Sequence, residues 1–372
     1  MADHSSGPLG GILTVFQMTA AFQSEDTCRR LLEAMIWPTG RICPFCGCRR
    51  SISLRGRDCD SAKKGRPGLY QCQEQECRGQ FTATTKTPMH ATKLPLSKWL
   101  AAMWLQMQSD KGVSSVRLAE SIGVTQKTAW RIGHAIRLMT MNSDQLLAGV
   151  VEADEIFVGG KPKKDPSNPD ARKGMQGHTT KRPVLTAIER PIEVEVGDAP
   201  GAVRSMPLSG VSGAEVSAAL TGAVEPDAHL MTDGHKSFID VGTGFAKHDT
   251  VIHSELEFAR GIVHVNHTEG FNDRVRRTVV GVFHHISQKH VQLYFDEIGF
   301  RWRQRIFRGE VNRSTKSGRV VARKLWDRKS AGEQMRELLA GAVGREFRRT
   351  KDGGHRIVSD RSLFAAKTAS AA

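Results

Sequence analysis

Apolar side chains recur at helical spacing after Pro95, in the segment LSKWLAAMWLQMQ. Trp99 and Met103 lie one turn apart, as do Leu100 and Trp104. Side chains three or four positions apart share one face of an α-helix. The pattern therefore predicts a helix that packs its apolar stripe into a core.

Two shorter amphipathic stretches follow in SSVRLAESIGVTQKTAWRIGHAIRLM, predicted as helices at 115–121 and 126–138. Gly123 falls in the turn between them, and Thr125 is placed to cap the second helix. This is typical of a helix-turn-helix, and an ordinary pair of packed helices is the alternative. In the DNA-binding interpretation, the second helix exposes residues that reach bases and phosphates: Gln126, Lys127, Arg131 and His134.

The middle of the chain changes to short β-rich runs. AGVVEADEIFVGG, RPVLTAIE and GAVRSMPLS predict three strands, SGAEVSAALTGAV a helix, AHLMTD and TVIHSE two more strands, and a further helix starts near His267. This order is typical of an α/β ribonuclease H-like core. A polar loop at 161–181 is predicted to be mobile, and QKHVQLYFDEIGFRWRQR to be a long amphipathic helix.

These patterns divide the chain into five predicted regions. They are a flexible N terminus at 1–23, a cysteine-rich module at 24–90, a helix-turn-helix region at 91–145, the α/β core at 146–308, and a basic C-terminal extension with one helix at 309–372. A length of 372 residues suits such a multidomain chain.

Charge favours a polyanionic partner. The chain has 54 Lys and Arg against 39 Asp and Glu, a net charge of +15, and the last 72 residues alone carry +12. Such an excess attracts phosphates without regard to sequence, although a solvated basic tail is the alternative for the C terminus.

No run approaches the roughly 20 apolar residues of a membrane span. We expect a cytoplasmic protein associated with the nucleoid.

Six of the seven cysteines lie between Cys43 and Cys77, and five of these six are in the two short segments CPFCGC and CQEQEC. Two such pairs can supply four thiolates to one structural zinc ion, and unligated buried thiols are the alternative. Cys48 competes with Cys46 as a ligand, and Cys59 is a spare. The predicted zinc ligands are Cys43, Cys46, Cys72 and Cys77.

Three acidic residues stand out in the α/β core. Asp154 lies within an apolar strand, where a carboxylate is costly unless it is liganded or hydrogen-bonded. Asp233 ends another predicted strand and Glu269 begins a helix. A turn role for Asp233 and a helix-dipole role for Glu269 are the alternatives. Glu152 and Glu155 compete with Asp154 as the acid on the first strand.

Converging carboxylates at these positions predict a site for two Mg²⁺ or Mn²⁺ ions, because these cations prefer oxygen ligands. Arg276 lies two helical turns beyond Glu269 and is placed to hold a phosphate, together with Arg277. His284 and His285 are secondary candidates for phosphate contact or proton transfer.

With these motifs in view, the chain resembles the bacterial insertion-sequence DDE transposases of the ISXO-like class. The resemblance covers about residues 24–305 and rests on motifs in one order: WPTGRICPFCG, KLPLSKWL, KGVSSVRLAESIGVTQKTAW, VEADEIFVGGK, TDGHKSF, TEGF and GVFHHISQKHVQLYFDEIGFRWRQR. It implies that Asp154, Asp233 and Glu269 are the metal-binding triad and that Arg276 occupies a basic position of the family. Three features depart from the pattern: the longer second cysteine pair, His235 after Asp-Gly, and a basic segment at 308–329.

The resemblance implies hydrolysis of phosphodiester bonds at the ends of a mobile element and transfer of the freed 3′-OH ends into target DNA. The N-terminal modules would read the terminal inverted repeats. Joining two ends calls for a homodimer or higher oligomer. A non-catalytic DNA-binding regulator and a ribonuclease H-like nuclease without strand joining are the alternatives.

Overall fold

A computed structural model describes residues 9, 12–54, 67–141, 145–159, 181–191, 193–239, 241–314, 318, 320–349 and 355–359. Contacts divide the chain into two compact units. One contains residues 1–140 and 330–372, and the other contains residues 141–329. None of the helices in these ranges is both long and apolar enough to cross a membrane.

The first unit is mainly helical. Its helices are α1 (Val15–Ala21), α2 (Glu25–Ile36), α3 (Leu96–Gln108), α4 (Ser115–Ile122), α5 (Gln126–Met139) and α10 (Ala331–Ala340). Its strands are β1 (Ser51–Ser53), β2 (Tyr70–Cys72) and β3 (Gln80–Phe81), which form one small antiparallel sheet, and the hairpin β11 (Arg345–Arg349) and β12 (His355–Ser359).

The predicted helices of this unit are confirmed at nearly the expected bounds. The apolar stripe of α3 is buried, including Trp99 and Met103. Between α4 and α5, Gly123 has φ 62°, and the Thr125 side chain accepts a hydrogen bond from the Thr128 amide. A left-handed residue ends one helix and a hydroxyl cap starts the next, as the sequence indicated.

Both termini hold more structure than expected. The interval predicted to be a flexible N terminus contains α1, because Thr14 and Gln17 form a capping box. The C-terminal extension holds α10 and also β-hairpins, of which β11–β12 lies in this unit. Arg345 donates hydrogen bonds to the carbonyls of Leu138 and Met139 at 3.3 and 3.2 Å and so satisfies the last turn of α5.

The second unit is α/β. Its strands are β4 (Val150–Val158), β5 (Arg182–Arg190), β6 (Val203–Pro207), β7 (His229–Asp233), β8 (Lys247–Val251), β9 (Arg305–Ser314) and β10 (Val320–Arg328). Its helices are α6 (Gly213–Thr221), α7 (Lys236–Ile239), α8 (Asn266–Thr278) and α9 (Val291–Arg303).

Five strands form the central sheet in the order β6-β5-β4-β7-β8. The first three pair antiparallel, whereas β4, β7 and β8 run parallel to one another. Alternate residues of β4 pack on opposite faces: Val151 and Ala153 against α6, and Ile156 and Val158 against α8 and α9. The predicted order of strands and helices is the order found.

The predicted helix after residue 288 is confirmed as α9, but it is not amphipathic. Eleven of its thirteen residues are buried, and the buried Arg301 pairs with Glu297 within the helix. Paired charges let a helix with polar positions be buried on all sides.

Most of the loop predicted to be mobile, residues 160–180, lies outside the described residues.

The described C-terminal region is therefore more than a basic tail with one helix. The strands β9 and β10 form a hairpin in the second unit, and α10 with β11–β12 belongs to the first. The predicted domain boundaries themselves stay predictions.

Candidate functional site

Four cysteines meet in the small sheet of the first unit. Their sulfur atoms, from Cys43, Cys46, Cys72 and Cys77, all lie within 4.8 Å of one another. Cys43 and Cys77 are 3.8 Å apart, and Cys46 and Cys72 are 3.6 Å apart. Zinc–sulfur bonds of about 2.3 Å in a tetrahedron place sulfurs about 3.8 Å apart. The donor set and its spacing fit one structural zinc ion.

Tight backbone turns bring each cysteine pair together. Gly47 has φ 72° and donates its amide to the Cys43 carbonyl at 2.8 Å, and Arg78 has φ 45° after the second pair. Trp37, Tyr70 and Phe81 pack beside the cluster with ring centroids 5.6 to 6.0 Å apart. The aromatic side chains supply a core that a module of this size needs beside its metal.

Cys48 is outside the cluster, which resolves the competition with Cys46. Its sulfur lies 3.2 Å from the Arg50 amide and 2.9 Å from a carboxylate oxygen of Glu74. Cys59 lies outside the described residues.

Burial and the neighbouring thiols raise the pKa of Cys46 to about 12, so its thiolate forms at neutral pH only beside a cation.

The second candidate site lies at one end of the central sheet. Ala153 of β4 pairs with Thr232 of the parallel strand β7, so the next residues, Asp154 and Asp233, are neighbours on the same face. A carboxylate oxygen of Asp233 accepts the His235 amide at 3.1 Å, in the turn that ends β7. The structure thus brings together two of the three predicted acids.

Asp154 is held in an environment that disfavours its charge. Burial raises its pKa to about 6, with further contributions from the negative charges of Asp233 and Glu269, against an opposing hydrogen bond from Asn272. A carboxylate in this position gains from any nearby divalent cation.

Asn272 and Thr186 are site residues that the sequence pattern did not reveal. The Asn272 amide nitrogen donates to an Asp154 oxygen at 2.8 Å, and the Thr186 hydroxyl donates to the Asn272 amide oxygen at 3.2 Å. Thr186 pairs directly with Asp154 across β4 and β5. The chain of hydrogen bonds fixes the orientation of the Asp154 carboxylate. The spacing of three residues between Glu269 and Asn272 on α8 was the available sequence signal.

Glu269 lies in the first turn of α8, as predicted, but its side chain is 52% exposed. One of its oxygens lies 3.5 Å from a ring nitrogen of His253. Two groups of described residues bring three or more possible metal-ligand atoms within 4.8 Å of one another, and neither group contains Asp154, Asp233 or Glu269. Glu269 therefore lies on the predicted helix with its side chain turned outward.

Glu152, which competes with Asp154 as the acid on the first strand, stabilises the start of α8. It is fully buried, and one oxygen accepts the backbone amides of His267 and Thr268 at 2.7 and 3.3 Å. These are the second and third residues of α8, so Glu152 caps the helix that carries Glu269. Two positions along β4 separate this cap from Asp154.

An arginine and two histidines surround Glu152. Arg190 donates to it at 2.9 Å, and ring nitrogens of His264 and His267 lie 3.3 and 2.9 Å away. Burial alone would raise the pKa of Glu152, but the hydrogen bonds from both histidines outweigh it and lower the pKa to about 2. Glu152, His264 and His267 have the spacing of a metal site. Because a guanidinium already occupies the carboxylate, we assign the cluster to holding α8.

Glu155, the other competing acid, follows Asp154 directly in β4 and so points to the opposite face of the strand. One of its oxygens lies 3.6 Å from His235, and the other is buried without a hydrogen-bond partner. Burial raises its pKa to about 7, and the charges of Asp233 and Asp154 add to this.

The predicted nucleic-acid contacts are mostly exposed. Gln126, Lys127 and Arg131 are exposed on α5, and Arg276 and Arg277 are exposed on α8. The Gln126 amide donates to the Ser115 hydroxyl at 2.8 Å. Arg277 pairs with Asp273 at 2.6 Å.

The prediction that His134 reaches DNA was wrong. Its side chain is 1% exposed, its ring lies 3.9 Å from that of Trp130, and it packs on Phe347 from the C-terminal hairpin. The strand β11 covers this turn of α5, which no local pattern in the helix indicates. His284 and His285 are exposed, as their loop position suggested.

Comparison with known proteins identifies two transposase domains in the chain. An ISXO2-like transposase domain matches residues 146–303, and a transposase zinc-ribbon domain matches residues 23–80. Together these matches cover more than half of the chain. The chain therefore combines an ISXO2-like transposase domain with a transposase zinc ribbon. These matches support a transposase of an insertion element, a class of enzyme that cleaves and transfers DNA. The zinc-ribbon match and the four-cysteine cluster support a structural zinc ion.

One similar protein is an uncharacterized protein in transposable element ISH50 from Halobacterium salinarum. It is 24% identical over 260 residues, which cover 69% of this chain and 83% of the relative. A simian T-cell lymphotropic virus intasome in complex with PP2A regulatory subunit B56 gamma matches at 13% identity with a TM-score of 0.22. That match covers 56% of this chain and 66% of the other, and at this score it has no bearing on the fold.

Zinc content tests the ligand set of the ribbon. We expect the Cys43→Ser, Cys72→Ser double variant to lose its zinc, because two of four thiolates are gone. Cys48→Ser is the matched control and should retain wild-type zinc, since its sulfur lies outside the cluster. Metal analysis of the purified proteins measures both. Full zinc content in the double variant, or loss of zinc in the control, would exclude this ligand set.

Thermal unfolding tests the cost of the Asp154 charge. The pKa of Asp154 in the fold, about 6, lies above its ordinary 3.8, so the penalty develops as pH rises between these values and is complete at pH 7. We expect zinc-loaded Asp154→Asn without added Mg²⁺ to melt a few degrees above wild type at pH 7 and equally near pH 4. Added Mg²⁺ should raise the melting temperature of wild type more than that of the variant.

The matched control is Asp227→Asn, an exposed acid just before β7. It should leave the melting temperature unchanged. A variant of Asp154 that melts below wild type at pH 7 would contradict the electrostatic account.

Proposed function

We propose that this transposase binds the terminal inverted repeats of its element, hydrolyses phosphodiester bonds at the ends, and transfers the 3′-OH ends into target DNA. Asp154, Asp233 and Glu269 are the proposed metal-binding acids. The observation that carries the proposal is the placement of Asp154 and Asp233 side by side on two parallel strands, with α8 packed on the same face.

The sheet supports a ribonuclease H-like core for this chemistry. Three antiparallel strands are followed by two parallel ones, in the order β6-β5-β4-β7-β8, and the helix α8 follows the last strand. The central position of β4 places Asp154 between the antiparallel and parallel halves. The proposed acids come from the middle strand, its parallel neighbour and a helix on one face.

The acids fit divalent cations by charge and by chemistry. Asp154 is costly as a bare carboxylate, Asp233 adds a second negative charge, and oxygen is the ligand that Mg²⁺ prefers. Two such ions would neutralise charge at the scissile phosphate and assist both the attacking and the leaving oxygen. Glu269 would turn inward from His253 to complete the ligand set.

Other residues of the chain have supporting roles in this proposal. Asn272 orients Asp154, and the capping by Glu152 fixes the distance between α8 and β4. Arg276 and Arg277 on the exposed side of α8 would hold phosphates that flank the cleaved bond.

Recognition of the element ends would fall to the first unit. The helices α4 and α5, joined by a short turn at Gly123, would act as a helix-turn-helix, with the exposed Gln126, Lys127 and Arg131 in contact with bases and phosphates. The net charge of +15 supports a DNA partner. Because two ends must be joined, the working assembly would be a homodimer or larger.

A strand-transfer assay tests the proposal. The substrate is labelled duplex DNA with the inverted repeats that flank the gene, incubated with zinc-loaded protein and Mg²⁺ or Mn²⁺. We expect wild type to cleave and join, and Asp154→Ala, Asp233→Ala and Glu269→Ala to lose about a hundredfold or more in rate. Asp154→Ala should still bind the DNA, since its contacts with the duplex lie elsewhere.

Asp227→Ala is the control for removal of an exposed acid and should keep full activity. Undiminished cleavage by Asp154→Ala would overturn the proposed mechanism. Binding by wild type without cleavage in either cation would favour a DNA-binding regulator. Cleavage without joining would favour a nuclease.

A further inference from the structure

The hairpin of β9 and β10 has an anchored base and an exposed end. At the base, the Arg305 guanidinium lies 3.8 Å from the ring centroid of Trp302, and the rings of Phe307 and Trp326 are 5.4 Å apart. The backbone of Phe307 exchanges hydrogen bonds of 2.8 and 2.9 Å with residues 197 and 198. These contacts fix the root of the hairpin to the second unit.

A change of register marks where the hairpin leaves this support. The pairing shifts between Leu325 and Trp326, opposite Arg308, and Gly309 has φ 131°. A bulge bends and twists a strand pair. We define the arm as residues 309–314 and 320–325, beyond this point. All residues of the arm belong to the two strands, and all of them except Gly309 are exposed.

The two faces of the arm differ in charge. Lys324 stands directly opposite Glu310 on one face, so charge there is balanced. The other face carries Arg313 and Arg323 among exposed Val311, Val321 and Leu325, and it has no acidic residue. Arg313 and Arg323 form a diagonal pair, with Cβ atoms about 7–8 Å apart. Within the described part of the chain, neither guanidinium has a hydrogen-bond or ion-pair partner.

A binding partner would stabilise an arm of this kind. A two-stranded ribbon with both faces in water is at best marginally stable, and two unmatched arginines on one face repel each other. The hairpin from residue 305 to 328 contains eight Lys and Arg against two Asp and Glu. A polyanion relieves this repulsion, whereas self-pairing with a second copy through the same face would bring four arginines together.

We propose that the arm is a DNA-binding ribbon that lies in a groove of duplex DNA, with Arg313 and Arg323 on phosphates. The major groove is about 12 Å wide and admits a two-stranded ribbon. The arm lies outside the matched transposase domain, which ends at residue 303, and it would add phosphate contacts beyond those of that domain. This inference rests on the proposed function, because the duplex is the substrate proposed there.

The salt dependence of binding tests the arm. The probe is a fluorescent duplex of about 30 base pairs and random sequence, measured by anisotropy between about 50 and 200 mM NaCl. Each lost phosphate contact lowers the slope of log affinity against log salt by about 0.9. We expect the Arg313→Ala, Arg323→Ala double variant to lower that slope by about 1.8. Arg308→Ala is the matched control, because Arg308 is paired with Asp327 at 2.7 Å within the hairpin, and it should keep the wild-type slope.

The outcomes separate this inference from the proposed function. A wild-type slope in the double variant, beside normal DNA binding by wild type, overturns the arm inference alone. Absence of DNA binding by wild type overturns both. A double variant that binds DNA normally but changes oligomeric state in sedimentation would assign the arm to a second copy and contradict the inference. Because both arginines are exposed, circular dichroism should show an unchanged fold.

Discussion

The parallel pairing of β4 with β7 is the constraint on which the acidic site depends. In this register the residues that follow Ala153 and Thr232 are both aspartates, so two carboxylates share one face at the end of the pair. Asn272 donates one hydrogen bond to Asp154, and burial with repulsion from Asp233 and Glu269 raises the pKa of Asp154 to about 6. The sheet therefore holds an electrostatic cost that a bound cation would relieve.

The helix α8 depends on the same strand. The carboxylate of Glu152 on β4 accepts hydrogen bonds from two backbone amides in the first turn of α8. Arg190 and two histidines stabilise the charged form of this carboxylate. One strand thus carries the proposed catalytic acid and, two positions earlier, the cap of the helix that bears Glu269. In the proposed site, the exposed side chain of Glu269 would turn away from His253 and toward the two aspartates.

Much of this could be predicted from the sequence, and the remainder has identifiable reasons. Periodicity located α3 and the strands because their apolar spacing is local, and Gly123 and Thr125 marked the helix pair because turns and caps have strong residue preferences. Four of six clustered cysteines were correctly grouped because zinc knuckles bind through short pairs. The positions of Asp154 and Asp233 followed from strand order.

The missed features all depend on contacts between distant segments. Thr186 and Asn272 meet Asp154 only once β5 and α8 are packed on β4. His134 is buried by a hairpin more than 200 residues away, and α9 is buried on nearly every side although its sequence contains charges. A polar or charged side chain that the local pattern places at the surface can be buried when the folded chain supplies it with a hydrogen-bond or ion-pair partner.

The most direct test of the central claim is anomalous diffraction from crystals of the zinc-loaded protein soaked in Mn²⁺. The account predicts manganese between the carboxylates of Asp154 and Asp233, at roughly 2.0–2.2 Å from its oxygen ligands, with Glu269 turned toward it. Manganese at Glu152, His264 and His267 instead, or none near Asp154, would contradict it.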